Sequence, residues 1–220
     1  MNPLWEFDRE YIVSGKTLIG VDEAGRGPLA GPVVAAAVIL PEYLEIFCMV
    51  NDSKKLSEKN RELLFPHILK HAKVGIGIAT VEEIDKYNIL QATFIAMKRA
   101  VEKIYTGSEL LLIDGNKTLP KCEYPQEAVV KGDGKSLHIA AASIIAKVAR
   151  DHMMLSLAKQ YPEYALEKHK GYGTKVHCEA IEKFGISPIH RTTFLKKLLG
   201  EELCQKEMSA RLESQRLFSI

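Results

Sequence analysis

The 220-residue sequence is poor in cysteine, in long apolar runs, in aromatic rings and in charge of one sign. Its four cysteines, Cys48, Cys122, Cys178 and Cys204, lie far apart with no CxxC pair, so neither a disulfide framework nor a structural zinc site is suggested. The longest apolar stretch, Val33 to Leu40, falls far short of the about 20 residues that a spanning helix needs. The opening MNPLWEFDRE carries acids where a secretory signal carries its apolar centre, and the expected location is the cytoplasm, with no membrane partner. Lys and Arg total 30 against 28 Asp and Glu, a formal charge of +2, so any attraction for a polyanion must be local. What is present, 46% apolar and 26% charged residues, suits one globular domain with a small appendage and excludes disorder and collagen-like repeats.

Short β-branched runs predict strands at 18–22, 33–40, 73–79, 109–113 and 126–130. Helical periodicity follows Ser57 as far as His71, interrupted by Pro66, and a Thr80/Glu83 capping box opens a long helix reaching Ile104. A further long helix covers 136–159, and after Thr174 only helical patterns remain, with Gly200 as a C-cap in the last stretch. The economical architecture is an α/β domain with a central mixed sheet flanked by helices, spanning 1–191, followed by a C-terminal helical appendage over 192–220.

Three groups of acids close apolar strands: Asp22 with Glu23 after LIGV, Asp114 after ELLLI, and Asp133 after QEAVVKG. Carboxylates gathered at strand ends repel one another unless a cation lies between them, which favours an oxygen-ligand site for Mg²⁺ or Mn²⁺. Two such ions about 3.5–4 Å apart would serve an in-line phosphodiester cleavage. Adjacent strand residues point to opposite faces, so Asp22 and Glu23 converge only if the strand ends or kinks there, which Gly25 could permit. Asp151 in VARDH is expected to be a helix charge outside the site.

In AGRGPLAGP, Gly25 and Gly27 flank Arg26 and would let a polyanionic backbone approach main-chain N–H groups. Lys54, with Lys55, Lys59 and Arg61 beyond it, either touches phosphates or faces solvent. Between Lys131 and Lys175 eight Lys or Arg face four Asp or Glu, a candidate nucleic-acid surface. Ser143 and Lys147, four apart on one helix, could hold one phosphate between them, and Tyr172, between two glycines in HKGYGT, could stack on a sugar or base. SGKT at 14–17 lacks the earlier glycine of a P-loop and precedes a strand, and His67 and His71 have no HExxH context, so neither is a site.

The segments LIGVDEAGRGPLAGPVVAAAV, NDSKKLS, LLIDGN, VVKGDGKS, AAASIIAKVARD, HKGYGT and IHRTTF, in that order, resemble bacterial ribonuclease HII from about Leu18 to Leu199. The resemblance implies an RNase H-like fold in a monomeric, metal-dependent endonuclease of replication and ribonucleotide excision. Its substrates would be RNA–DNA hybrids and duplex DNA with embedded ribonucleotides, cut to 3′-hydroxyl and 5′-phosphate ends. It further implies Asp22, Glu23, Asp114 and Asp133 as catalytic metal ligands. Gly25, Arg26 and Gly27 would contact the scissile phosphate and the 2′-hydroxyl, Tyr172 the sugar at the junction, and Ser143 and Lys147 phosphates. The rival readings are an integrase- or resolvase-like nuclease, which should cut DNA lacking ribose, and a non-catalytic hybrid-binding protein.

Overall fold

Residues 2–200 are described by the computed structural model. One five-stranded sheet has the order β3-β2-β1-β4-β5. β1 (Leu18–Ala24), β2 (Val33–Ile39) and β3 (Lys73–Ala79) pair antiparallel, with Val21 opposite Ala37 and Ala35 opposite Gly77. β4 (Leu110–Asp114) and β5 (Gln126–Val129) extend the other side of β1 in parallel, Val21 opposite Ile113. The sheet is mixed, as the sequence predicts.

β2 (VVAAAVI) is buried at all seven positions because helices cover both faces. Even-numbered β1 residues turn toward α4 (Leu137–Gln160): Leu18 packs with Ile139, and Gly20 lies against the His138 backbone. Odd-numbered Ile19 and Val21 join the cluster of α3 (Val81–Val101), with Ala92, Ala96 and Ala100. α1 (Pro3–Val13) closes the N-terminal side, its buried Asp8 accepting from the His138 N–H (3.0 Å) and Nδ1 (2.7 Å).

Two local expectations need correction. α2 (Glu58–His71), capped by Ser57, runs unbroken through Pro66, because Leu64 and Ile68 on either side are held in the core. α3 is not one regular helix: Asn88 takes φ 68, ψ 165, and its side chain caps the second half by accepting from the Leu90 and Gln91 N–H groups.

Beyond α4 come α5 (Leu166–His169) and α6 (Lys175–Phe184), then a 3-10 turn over Thr192–Phe194 and α7 (Lys196–Leu199), which ends at Gly200 with φ 83. Leu195 is buried in a cluster with Ala30, Met154 and Tyr164, so the start of the expected appendage packs on the main body. The part of that appendage from Glu201 to Ile220 lies outside the described residues. Among the described residues no helix is long and apolar enough to cross a membrane.

Candidate active site

Asp22 and Asp114 sit toward the ends of the adjacent parallel strands β1 and β4, and Asp133 lies in the 3-10 turn Gly132–Gly134 that joins β5 to α4. One carboxylate oxygen from each falls within 4.8 Å of the others. Two of them are far from solvent, Asp22 at 4% and Asp133 at 7% exposure, and Asp114 is half-buried. The turn is locked to the strand because Asp114 Oδ1 accepts from the Gly132 N–H at 2.7 Å.

Electrostatics match that crowding. Burial first, then the charges of Glu23 and Asp114, hold the Asp22 carboxyl well above the usual carboxylate range, against hydrogen bonds from Ser143 and the Glu23 N–H. Asp114 is raised by burial and by Asp133, with N–H groups of Gly132 and Asp133 and the Lys54 charge opposing. Burial would lower the Lys54 ammonium, but Asp133 and Asp22 outweigh it and keep it above its ordinary value; Nζ lies 3.4 Å from Asp133 Oδ2. Three oxygens, short of positive charge and converging from rigid elements, form the hard-oxygen donor set that a divalent cation takes. These residues therefore fit such an ion.

Glu23 stands apart from that trio. β1 stays extended through Ala24, so no kink brings the two neighbours together, and the strand pleat turns Glu23 toward the α3 side. There it meets Arg26 (Oε1 to Nη1, 3.3 Å) at the rim of a cleft lined by Leu90, Phe94, Asp114 and Lys117. Burial raises its carboxyl, Arg26 lowers it and Asp114 raises it.

Gly25 has φ +95, and a Cβ there would meet Arg150 Nε at 2.0 Å, so only glycine fits the turn out of β1. Arg26 and Gly27 beyond it are exposed. The Tyr172 ring, 45% exposed, lies beside Gly27, Cε1 standing 3.7 Å from where a Cβ would be. The loop and the tyrosine, distant in sequence, thus lie side by side, and Arg26 lines the cleft that holds Glu23 and Asp114.

The structure places Ser143 and Lys147 differently from the expected shared phosphate seat. Ser143 is 3% exposed and bonds Ser53 Oγ (2.8 Å) and Asp22, which puts it beneath the acids. Lys147 Nζ holds Asp151 Oδ1 at 2.7 Å. Sequence reasoning missed Ser53, whose place in NDSKKLS beside Lys54 was the available signal. It also missed the buried Arg150 and Arg191, which no periodicity marks.

A half-parallel mixed sheet carrying three convergent carboxylates beside a basic glycine loop defines a metal-dependent nuclease of RNase H-like fold. Comparison with known proteins narrows that class. The chain matches the family model described as Ribonuclease HII over residues 19–197, and it belongs to the ribonuclease HII family. It is 57% identical over 210 residues to Ribonuclease HII of Fusobacterium nucleatum subsp. nucleatum, covering 91% of this chain and 94% of the relative. Among solved structures it resembles ribonuclease H2 from Pyrococcus horikoshii OT3, with TM-score 0.65, 28% identity, and 86% and 99% of the two chains covered. It also shares its fold with Bst-RNase HIII solved in complex with Mn²⁺, with TM-score 0.61, 20% identity, and 86% and 64% covered. The protein is an endoribonuclease that hydrolyses the RNA strand of RNA–DNA hybrids and depends on a divalent metal.

Proposed function

We propose that this enzyme also nicks duplex DNA on the 5′ side of a single embedded ribonucleotide, leaving 3′-hydroxyl and 5′-phosphate ends, and that it acts as a cytoplasmic monomer with Mg²⁺ or Mn²⁺. The observation that carries the reading is the convergence of Asp22, Asp114 and Asp133 oxygens within 4.8 Å. Those three would hold the metal, with Glu23 completing the set from the far face of β1. When bound, a divalent pair supplies the Lewis acidity that activates water and stabilises the departing 3′-oxygen.

The remaining work falls to the chain itself. Ser143 donates to Asp22 and fixes its rotamer from below. Lys54, 3.4 Å from Asp133, sits where it can meet a phosphate entering over the acids. N–H groups of the Gly25–Arg26–Gly27 loop take the scissile phosphate and the 2′-hydroxyl, while Tyr172 packs on the sugar. Recognising one hydroxyl with fixed polar partners rejects deoxyribose strongly, since those partners would be left unsatisfied. Lys147, paired with Asp151, lies one turn along α4 and has two further N–H donors for the duplex backbone. Residues 1–191 form the catalytic domain in this reading, and 192–220 a C-terminal extension that helps to hold the duplex.

The test is a labelled duplex with one ribonucleotide, incubated with Mg²⁺, Mn²⁺ or EDTA beside an all-DNA duplex and an Asp22→Asn variant. A metal-dependent nick 5′ of the ribonucleotide, absent from the all-DNA duplex and from the variant, is the expected result. Equal cutting of all-DNA would overturn the ribose selectivity, and cleavage in EDTA would overturn the role of the acids.

A further inference from the structure

Arg150 and Arg191 are the largest fully buried side chains among the described residues, at 1% and 0% exposure. A guanidinium has five N–H donors, and all five of Arg191 go to carbonyls of the loop between β1 and β2. Nε donates to Gly31 O (2.9 Å), Nη1 to Arg26 O (3.0 Å) and Pro28 O (2.8 Å), and Nη2 to Gly25 O (2.6 Å) and Pro32 O (3.2 Å). Arg150 on α4 adds Nε to Pro32 O (3.0 Å) and Nη2 to Ala30 O (3.1 Å), while its Nη1 reaches Lys170 O (3.0 Å) in the neighbouring loop that carries Tyr172. A main-chain bond from the Leu29 N–H to Gly171 O (2.8 Å) joins the same two loops.

Direction follows from peptide geometry. No peptide bond here is cis, and in a trans peptide the C=O and N–H point opposite ways. With the carbonyls of Gly25 and Arg26 drawn onto buried Arg191, the N–H groups of Arg26 and Gly27 point away from it, toward the exposed side of the loop. An adjacent histidine extends the same frame. His177 Nδ1 donates to Tyr172 O (2.9 Å), so His177 Nε2 accepts from His190 Nε2 (3.2 Å), and His190 Nδ1 accepts from the Ser187 N–H (3.0 Å).

The geometry points to Arg191 as a positioning residue for cleavage: it aims the Arg26 and Gly27 N–H groups at the substrate, and Arg150 sets their spacing from Tyr172. This rests on the proposal that this loop and Tyr172 contact the substrate. Lysine in place of Arg191 keeps a positive charge but has three donors on a point charge instead of a five-donor fork, so at least two of the five carbonyls lose their Arg191 donor, and of the five only Pro32 O is also held by Arg150. A free peptide plane can then rotate and carry its N–H off target.

The test compares Arg191→Lys and Arg150→Lys with the parent enzyme, using active-site-titrated protein on the single-ribonucleotide duplex. Binding of that duplex and of all-DNA is measured separately in EDTA. Arg191→Lys is expected to lower kcat at least 30-fold with a smaller change in KM, and to shrink the ratio of the two Kd values at least fivefold. Arg150→Lys, which retains the Arg191 fork, should shrink that ratio with a smaller loss in kcat, and it serves where Arg191→Lys does not fold. A purely structural role would lower Tm and the titrated fraction while leaving kcat per active site and the Kd ratio unchanged in both variants, and that result overturns the inference. Tyr172→Ala and Gly27→Pro separate the two proposals. If they keep the parent Kd ratio, the loop reading itself fails; if they lose it while both arginine variants keep it, only the positioning role fails.

Discussion

Gly20 tests whether the sheet and α4 together set the acids in place. It lies mid-strand in β1, opposite Val38 and Leu112, two residues before Asp22 and on the same face. A Cβ there would stand 2.1 Å from the His138 carbonyl carbon and 2.4 Å from the Ile139 nitrogen, against the 3.4 Å at which ordinary contact begins. The shortfall of about 1.3 Å faces helix backbone, not a flexible side chain, so Gly20→Ala must push α4 from the strand. Overpacking of this kind costs about 1–3 kcal/mol, which for a chain of this size lowers Tm by roughly 2–12 °C. The functional cost is larger, because α4 carries Ser143 beneath Asp22 and begins just after Asp133. A displacement on the order of 1 Å between catalytic groups costs about 100-fold in rate. Thermal unfolding followed by circular dichroism, with kcat on the ribonucleotide duplex at saturating Mn²⁺, reads both. A Gly20→Ala enzyme with parental Tm and kcat would refute the claim that this contact sets the site.

Asp22→Asn should abolish cleavage yet raise the Tm of the metal-free protein, since a neutral amide removes the cost of either burying the Asp22 charge beside Glu23 and Asp114 or taking up a proton to avoid it; calorimetry in EDTA showing a lower Tm contradicts this. The same raised carboxyls of Asp22, Glu23 and Asp114 set a pH dependence. The folded metal-free state holds protons on them that the unfolded chain releases, so its stability falls as pH rises through the raised values. Cleavage at limiting metal falls as pH drops through them, and the acid limb should lie above the ordinary carboxylate range and move down as metal is added. Asp8→Ala removes the acceptor for the buried His138 ring and main-chain N–H. Leaving a buried donor without its acceptor costs about 1–3 kcal/mol, and the Tm should fall by roughly 2–12 °C while kcat per folded molecule at 25 °C stays within twofold.

Primary structure settled a good deal. Short β-branched runs, the Ser57 cap and the Thr80/Glu83 box carried enough local preference to place five strands and the main helices within a few residues. Asp22, Asp114 and Asp133 were legible as a set because each closes an apolar run beside glycine, where an unpartnered acid is costly. The seven segments in order gave the family. The break at Asn88 was not legible, because the apolar pattern of α3 continues across it and a side chain supplies the cap. Nor was the run of α2 through Pro66, where core packing outweighs the lost hydrogen bond.

Tertiary structure decided the rest, because each remaining feature depends on a partner far away in the chain. The pleat of an unbroken β1 sends Asp22 to the α4 face and Glu23 to the α3 face, a division that adjacent letters hide. Ser143 reads as a surface hydroxyl at helical spacing from Lys147, but Ser53, 90 residues away, shares its hydrogen bond under the acids. Arg191 reads as one basic residue near the C-terminus, and only the return of residues 189–191 against Ala30 and Leu29 turns it into the hub of the glycine loop. Local sequence governs which backbone shapes are cheap; burial and long-range hydrogen bonding determine which side chains meet, and those meetings make the site.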